Sequence, residues 1–485
     1  MREIQQMRSI ACRLPRRLTR RPVRGYATNA RDFDVVVAGG GVVGASTAYH
    51  LALTSPHLSV AVVERDPHGT FASAPRSAGG IRQQFSLQEN IELSLYGLDL
   101  LRNADTLLRV AGQDAPDMQL KENGYLFLAT EGGVETLRAN HTTQELAGAS
   151  TTLLTPAALS QRFPWLNLEG IALGCFGESG EGWFDPWALV TAFKAKAMEM
   201  GVTYIHGEVA GLDVHSETTS VALPDGAGCA PAGSLISPRL RIQKVHVRHA
   251  SDGKTSAIGC GHVVNAAGAF AGGLVRMCGE EDVVAPLPVA ARRRCIFHVS
   301  TPLGGAADGD AGGAGGGAGG SSRPPLVPPG STTPLVVDPS GVYFRPEGGP
   351  GQFICGVSPP SHYADPDCED ASALETVDHE LFDEVIWPAL YERVTAFGAL
   401  RVLSSWSGFY EYNTLDQNAI IGRHPHVPNL VLANGFSGHG LQQAPGVGRA
   451  VAELISTGRY QTVDVSCFGF ERVLRDEPIF EKNIV

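Results

Sequence analysis

The clearest pattern of hydrophobic positions lies near the start of the chain. Phe33–Ala38 is a short, β-branched apolar run, which is typical of a buried parallel strand. The glycine run Gly39–Gly44 follows at once, and Ala45–Ala52 has the composition of a helix. A second apolar run, Leu58–Val63, ends at Glu64. This order predicts a strand, a glycine turn, a helix and a second parallel strand.

Further along, the pattern alternates between helical and strand-like segments. Apolar residues recur at helical spacing over residues 86–109, and a capped helix start is indicated at 155–159. Further helices are predicted over 187–200, 382–393 and 445–457, and strands over 124–129, 202–205, 263–268, 295–299, 335–337 and 430–433. The mixture predicts an α/β fold without internal repeats.

A glycine- and proline-rich segment, residues 303–334, interrupts this pattern. Its composition offers too little apolar surface for a packed core, and strand-like sequence flanks it on both sides. We therefore expect a disordered surface insertion within one domain and not a boundary between domains.

Each glycine of the opening turn has a distinct physical task. Gly39 permits the tight turn, Gly41 lets backbone amides approach a pyrophosphate, and Gly44 lets the helix pack closely on the strand. The helix N-terminus adds amide donors and partial positive charge. Glu64 follows Gly44 by 20 residues, where an acid accepts hydrogen bonds from ribose hydroxyls. The unit predicts dinucleotide binding; the acid disfavours NADP and leaves FAD or NAD.

Charge divides the chain into a basic start and an acidic body. Residues 1–26 hold eight arginines and one acid, Glu3, so they carry +7, while the net charge of −12 leaves −19 for the rest. The start has the composition of a mitochondrial transit peptide, which we place at residues 1–30 with the mature chain beginning near Ala27 or Thr28. An acidic body makes nucleic acid an unfavourable partner.

Other compositional signals exclude further classes of protein. No window approaches about 18 unbroken apolar residues, so we expect no transmembrane segment. The nine cysteines include no CxxC pair, so neither a disulfide framework nor a metal site is expected. Both observations suit a reducing compartment such as the mitochondrial matrix.

Three segments together are more specific than the opening motif alone. They are the glycine turn with Glu64, the strand end Val264–Gly268, and the run Gly435–Gly446. In this order and spacing they resemble the D-amino-acid oxidase superfamily of flavoproteins, which includes sarcosine and dimethylglycine dehydrogenases. The resemblance covers about residues 32–470 and favours FAD over NAD, noncovalently bound.

The resemblance implies a Rossmann-like FAD-binding domain interleaved with an α+β substrate domain built on a mixed or antiparallel sheet. The FAD-binding domain would comprise residues 32–95, 170–285 and 401–470. The substrate domain would comprise residues 96–169 and 286–400.

The resemblance also implies which residues contact the cofactor. The expected cofactor-binding residues are Gly39, Gly41, Val42, Val43, Gly44, Glu64, Arg65, Ser77, Gly79, Gly80, Val209, Ala266, Gly268, Gly438, His439, Gly440, Leu441 and Gln442. The last five form a loop that would meet the flavin pyrimidine before a helix at 445–457. The dipole of that helix would then stabilise a reduced, anionic flavin.

For chemistry, the resemblance implies hydride transfer to FAD from a C–H beside an amine nitrogen. Arg82 matches the position of an arginine that binds substrate carboxylate in sarcosine-oxidising relatives, with a structural salt bridge as the alternative. Tyr410, Tyr412 and His439 are expected to line the substrate face, and core packing is the alternative for each tyrosine.

The chain also departs from its amine-oxidising relatives. Gln442 and Tyr410 stand where some of them place carboxylate-binding lysine or arginine, and no lysine for oxygen activation appears around Phe353–Gly356. These departures favour a dehydrogenase or a non-catalytic flavoprotein over an oxidase.

Longer strings point to one branch of the family. Ser77–Leu87, Tyr412–Asn418 and Gly435–Gly446 resemble a mitochondrial member that is associated with assembly of respiratory complex I. This resemblance implies complex I assembly intermediates as partners and a location in the matrix or at the periphery of the inner membrane. A matrix enzyme that oxidises a small amine or amino acid is the alternative role.

Overall fold

The computed structural model describes residues 32–217, 239–303, 326–330, 332–368 and 370–482. The expected transit peptide lies outside these ranges, as does most of the glycine-rich insertion. Within the described chain, no helix is both long enough and apolar enough to cross a bilayer.

Seventeen strands and eleven α-helices are described in these ranges. The strands are β1 (Phe33–Ala38), β2 (Val60–Glu64), β3 (Gly80–Ile81), β4 (Tyr125–Ala129), β5 (Thr151–Leu154), β6 (Leu173–Gly177), β7 (Gly182–Trp183), β8 (Thr203–Glu217), β9 (Arg239–His249), β10 (Thr255–Asn265), β11 (Val289–Ser300), β12 (Leu335–Val337), β13 (Tyr343–Pro346), β14 (Gln352–Gly356), β15 (Arg401–Asn413), β16 (Ile420–Arg423) and β17 (Leu430–Asn434). The helices are α1 (Val42–Thr54), α2 (Gln88–Arg102), α3 (Ala104–Leu107), α4 (Val134–Leu146), α5 (Pro156–Arg162), α6 (Pro186–Glu199), α7 (Ala271–Arg276), α8 (His379–Leu381), α9 (Trp387–Arg393), α10 (Gly440–Thr457) and α11 (Glu471–Arg475).

The first sheet is mostly parallel and carries the glycine turn. β1 lies between β2 and β10, β8 extends the sheet beyond β2, and β17 extends it beyond β10. β16 closes the far edge in antiparallel orientation. Side chains of β1 alternate between two cores, Val35 and Val37 facing α1 and α10, Val36 and Ala38 facing the opposite layer. Burial on both faces explains the unbroken apolar run seen in the sequence.

That opposite layer is made by the same strands. β8 and β10 run on past the parallel sheet and pair with β9 in an antiparallel meander. Ile242, Val245 and Val247 of β9 are fully buried and pack against β1 together with α7. The sequence predicted only short strands at 202–205 and 263–268, because the half-exposed meander lacks the continuous apolar run that marks their buried ends.

The second sheet has eight strands in the order β15-β11-β14-β13-β12-β4-β6-β5. Only β12 and β4 pair in parallel; the other neighbours are antiparallel. One face packs against α5 and α9, and the other against α4. The expected architecture, a Rossmann-like domain with a second domain on a mixed sheet, is confirmed.

Helix α10 differs from the sequence-based expectation. It begins at Gly440, five residues before the predicted start, and contains Pro445 within its first two turns. The glycines after Pro445 pack closely on neighbouring helices. A Cβ at Gly446 would lie 2.7 Å from Leu93, and one at Gly448 would lie 2.3 Å from Ser46. These glycines let α10 approach α1 and α2 closely. The start at Gly440 was not expected because proline is most common in the first turn of a helix, whereas here Pro445 lies further in.

Candidate cofactor site

The turn between β1 and α1 has the geometry expected of a phosphate-binding loop. Gly39 has φ +102°, and a Cβ there would lie 2.4 Å from the carbonyl oxygen of Ala266. A Cβ at Gly44 would lie 1.9 Å from the Gly39 carbonyl oxygen. At Gly41, by contrast, a Cβ would meet no atom within 4 Å. Two glycines therefore permit close backbone packing, and the third faces open space.

The first turn of α1 has no side-chain cap at Gly41. The amides of Val42 and Val43, which begin the helix, therefore remain available as donors beside the positive end of the helix dipole. This is the arrangement that binds phosphate groups in dinucleotide folds.

Glu64 ends β2 beside this turn. Its Oε2 accepts a hydrogen bond from the Gly40 amide at 2.6 Å, and its Oε1 accepts one from the Asp66 amide at 2.6 Å. A carboxylate offers about four lone-pair positions, so each oxygen keeps capacity for a ribose hydroxyl. The two amides fix the carboxylate in orientation at the mouth of the turn.

The turn after β10 faces the glycine turn from the other side of an open space. Asn265 shapes it by donating to the Ala271 carbonyl at 2.9 Å and accepting from the Ala267 amide at 3.2 Å. Gly268 has φ +55°, and a Cβ there would also meet no atom within 4 Å. A second open backbone surface thus faces the first.

Between these turns lies a cleft of about 380 Å³. Its wall includes nine of the expected cofactor residues, namely Gly39, Gly41, Val42, Val43, Glu64, Arg65, Val209, Ala266 and Gly268. Arg65 lies with its guanidinium 4.0 Å above the Phe270 ring, which also lines the cleft. Residues from β1, β2, β8, β10 and β15 therefore converge on one elongated space.

The other expected cofactor residues lie elsewhere. Gly44 is packed behind the turn, and Ser77, Gly79 and Gly80 precede or begin β3. Ser77 donates its hydroxyl to the Ala74 carbonyl, so its side chain is engaged locally. None of Gly438, His439, Gly440, Leu441 and Gln442 borders the cleft; they form the start of α10 nearby.

At that helix start, side chains from distant parts of the sequence meet. Gln442 Oε1 accepts hydrogen bonds from the Arg82 amide at 2.8 Å and from the Ser94 hydroxyl at 3.1 Å. Gln442 therefore fixes the backbone that carries Arg82. His439, the residue before α10, lies on the same side, with its Nε2 3.0 Å from Arg82 Nη2.

The Arg82 side chain lies among aromatic rings. Its guanidinium carbon is 4.7 Å from the ring centre of Phe85, 5.1 Å from that of Phe127 and 5.7 Å from that of Tyr125. Burial and the nearby arginine charge lower the pKa of His439 to about 3, so the ring is neutral and accepts from Arg82. Among the described residues Arg82 forms no ion pair, which favours the anion-binding interpretation over a structural salt bridge.

The two candidate tyrosines lie on β15, on the strand face opposite the cleft. Tyr410 donates its hydroxyl to the Ser437 carbonyl and stacks below Arg294 at 4.4 Å, while Tyr412 lies 5.1 Å from Arg292. Burial raises the pKa of Tyr410 to about 12. Tyr410 thus carries a structural hydrogen bond, and both rings pack against arginines.

Two acids that the sequence did not single out lie near these groups. Glu181 is inaccessible and accepts from the Gln83 amide at 2.6 Å and the Gln84 side chain at 2.7 Å, which anchors the residues beside Arg82. Burial raises its pKa to about 7. Glu411 lines the cofactor cleft. No local motif surrounds either acid, and only the tertiary fold reveals their positions.

The cleft defines the class of protein. Open space in front of two backbone turns, uncapped helix amides and an oriented carboxylate at the end of β2 fit the pyrophosphate and ribose of a dinucleotide. The chain is therefore a dinucleotide-binding protein of the Rossmann type. A family model described as FAD dependent oxidoreductase (DAO) matches residues 34–454. The chain belongs to this family, and FAD is its cofactor.

Known proteins are similar to this chain over nearly its whole length. "FAD-dependent oxidoreductase domain-containing protein 1" of Xenopus laevis is 42% identical, over 93% of this chain and 85% of that protein. The Drosophila melanogaster homolog of the same name is 36% identical, over 95% and 83% respectively. Among solved structures, L-proline dehydrogenase from P. horikoshii matches with a TM-score of 0.71 and 25% identity, covering 93% of this chain and 100% of that one.

Proposed function

We propose that this flavoprotein oxidises a small amine or amino acid that carries a carboxylate, and that Arg82 binds that carboxylate. The observation that supports this most is a guanidinium without an acidic partner among the described residues, enclosed by three aromatic rings beside α10. A cation enclosed in this way gains most from an incoming anion, because the rings exclude competing water.

The surrounding residues prepare Arg82 for that role. Gln442 and Ser94 fix its backbone, and the neutral ring of His439 occupies one Nη2 proton. The planar, forked guanidinium of Arg82 suits a planar acceptor such as a carboxylate. When bound, FAD supplies the acceptor for the hydride, and the protein orients the donor carbon towards it. The name of the structural relative, a proline dehydrogenase, supports a substrate with an amine and a carboxylate.

Anaerobic mixing of the purified holoprotein with candidate substrates tests this proposal. Amino acids and N-methyl amino acids are expected to bleach the visible absorbance of the oxidised flavin, whereas the matching carboxamides are not. Bleaching by acids and carboxamides at equal rates would contradict the role of Arg82. No bleaching by any compound would contradict the enzymatic proposal itself.

A second candidate role is support of respiratory complex I assembly in mitochondria. It is favoured by the strings Ser77–Leu87 and Tyr412–Asn418 and by the arginine-rich start of the chain. Tyr410 and Gln442 also replace basic residues of amine-oxidising relatives and make internal hydrogen bonds instead. In this role FAD serves the stability of the fold, and the partners are complex I assembly intermediates.

Deletion followed by rescue separates the two roles. If assembly is the main role, cells lacking the protein should contain less assembled complex I, and Arg82→Ala should restore it as fully as the wild type. Rescue by wild type but not by Arg82→Ala would show that the anion site is required. Unchanged complex I after deletion would remove the assembly role.

A fusion of residues 1–30 to a fluorescent reporter tests the expected location. The reporter should enter the mitochondrial matrix, because the segment is arginine-rich and nearly free of acids. Replacing its eight arginines by glutamine is the matched control. A reporter that stays in the cytosol with the native segment would contradict a matrix location.

A further inference from the structure

Glu411 is an acid in the wall of the cofactor cleft. It lies on β15 two residues after Phe409, so both side chains point to the same face of the strand, and both line the cleft. Tyr410 and Tyr412 point to the other face. Glu411 therefore lines the space that fits FAD from the β15 wall.

The surroundings of Glu411 are backbone and apolar groups. Its Oε2 accepts from the Gly435 amide at 3.1 Å. Its Oε1 lies 3.2 Å from the point where a Cβ would stand at Gly440, the first residue of α10. Glu411 therefore lies at the N-terminus of α10, the positive end of the helix dipole that was expected to stabilise the reduced flavin.

No positive side chain compensates this acid among the described residues, because Glu411 takes part in no ion pair. Burial raises its pKa to about 8, although the amides of Gly435 and Phe436 oppose that shift. A carboxyl group in this environment is protonated at neutral pH and ionises only in alkaline solution.

The other titratable groups near Glu411 are engaged with partners of their own. On β11, which pairs with β15, Arg292 is bound to Asp365 and Asp367, and Arg293 donates to Thr376. At α10, His439 is bound to Arg82. The remaining charged residues of the cleft, Glu64, Arg65, Asp66, Glu208 and Arg276, come from the β2, β8 and α7 walls.

We propose that Glu411 couples reduction of the bound flavin to uptake of a proton from solvent. Reduction of bound FAD by two electrons and one proton would add one negative charge to the cofactor that the residues of this cleft, Glu411 among them, would hold. Above about pH 8, where Glu411 is ionised before reduction, a second proton from solvent would then convert the Glu411 carboxylate to the carboxylic acid. The electrons come from the substrate or from any artificial donor, so the proposal does not depend on which substrate is oxidised.

The test is the midpoint potential of the bound flavin, measured at a mediated electrode from about pH 6.5 to about pH 9.5 in wild type and Glu411→Gln. Each proton taken up with two electrons changes the ratio of reduced to oxidised flavin tenfold per pH unit, or about 30 mV. Above about pH 8 the ratio of reduced to oxidised flavin should change about a hundredfold per pH unit in the wild type. In Glu411→Gln the same ratio should change about tenfold per pH unit.

Glu208→Gln is the matched control, because it removes an acid from the β8 wall of the same cleft. Its pH dependence should equal that of the wild type. Equal pH slopes of the midpoint potential in wild type and Glu411→Gln would overturn the proposal. A loss of slope in Glu208→Gln as large as that in Glu411→Gln would overturn it too.

Wild type alone provides a second test, should Glu411→Gln fail to retain FAD. Proton uptake during electrochemical reduction is measured with a pH indicator in weakly buffered solution. Near pH 9 the expected uptake is about two protons for each two electrons. An uptake of about one proton would contradict the role of Glu411, whatever the outcome of the substrate experiments.

Discussion

At Gly44 the backbone of α1 lies so close to Gly39 that a Cβ would stand 1.9 Å from a carbonyl oxygen, whereas Gly41 faces open space. Both glycines belong to one short motif. Gly44 limits how closely the helix can pack on the strand, whereas Gly41 limits what can enter the open phosphate space. The motif links each glycine to a fixed place in the turn, so the close packing at Gly44 was predictable, whereas contact of Gly41 with a pyrophosphate stays a prediction. The positions of Glu181 and Glu411 were not predictable, because no motif around either acid indicates its surroundings.

Alanine substitutions should separate the two glycine roles. Gly44→Ala should lower the free energy of unfolding of the apoprotein by about 1–3 kcal/mol or more, because the added methyl overlaps the Gly39 carbonyl. Gly41→Ala should leave apoprotein stability nearly unchanged and weaken FAD binding, because its methyl points into the phosphate space. Denaturant unfolding and FAD titration measure the two effects. Equal losses of stability in both variants would contradict this assignment.

The role of Arg82 predicts a graded loss of substrate binding. Arg82→Ala should weaken binding of a carboxylate substrate roughly 10- to 100-fold, because a charge-assisted hydrogen-bonding pair is lost, and Arg82→Lys should lie between. Flavin spectral titration measures the affinity. The carboxamide of the same substrate is the control, since its binding should change little. A carboxamide affected as strongly as the acid would indicate a general structural defect.

Glu181 predicts a pH dependence of stability. Its pKa is about 7 in the folded protein against 4.5 for the unperturbed group, so folding favours the protonated form. The stabilising contribution of the proton is complete below pH 4.5 and is lost as pH rises to about 7. The difference in unfolding free energy between Glu181→Gln and wild type should therefore grow by about 2–3 kcal/mol over this interval. A constant difference across the interval would refute the prediction.

Among the helices, α10 and α2 show how tertiary contacts set the ends of elements. The sequence predicted α10 from Pro445 onwards, but the helix begins at Gly440 and Pro445 lies inside it. Similarly, α2 begins at Gln88 with Leu87 before it, and Leu87 provides no capping side chain. Strong local periodicity predicted the existence of both helices, whereas their starts depend on residues distant in sequence.

Glu481 holds the segment that leads into α2. It accepts from the Ser86 amide at 2.6 Å, the Leu87 amide at 3.4 Å and the Asn90 side chain at 2.5 Å. Glu481→Gln should lower the free energy of unfolding by about 1 kcal/mol, because these hydrogen bonds lose a charged acceptor beside the positive end of the helix. Thermal or denaturant unfolding measures the change. Lys482→Gln, whose side chain makes no described hydrogen bond or ion pair, should be neutral, and an equal loss there would contradict this role of Glu481.

For the whole molecule, the family motifs predicted FAD as the cofactor, whereas β6 and β15 fall in ranges predicted for the FAD-binding domain and pair in the second sheet. The substrate domain was less predictable, because the order of its eight strands is set by long-range pairing, such as β12 with β4 across more than two hundred residues. The parallel pairing of these two strands follows from no local pattern. The family resemblance, and not the periodicity of the sequence, predicted that the sheet of the substrate domain is mixed.

The cleft as a whole predicts noncovalent binding of FAD. Within the described residues its wall contains no histidine, cysteine or tyrosine that would provide a covalent attachment point. Acid precipitation should therefore leave the yellow flavin in the supernatant. Protein that stays yellow after precipitation and washing would contradict this expectation, and a flavoprotein with covalently attached FAD serves as the positive control.

The wall of the cleft begins at Ala38 and is completed only by Phe409, Glu411 and Ala433. A nascent chain leaving the ribosome therefore displays its glycine turn long before it possesses a binding site. FAD cannot act as a template for the early stages of synthesis, and its capture must follow translation of nearly the entire chain. Truncated products of premature termination would consequently be colourless, and flavin content would report the fraction of molecules that were finished and folded.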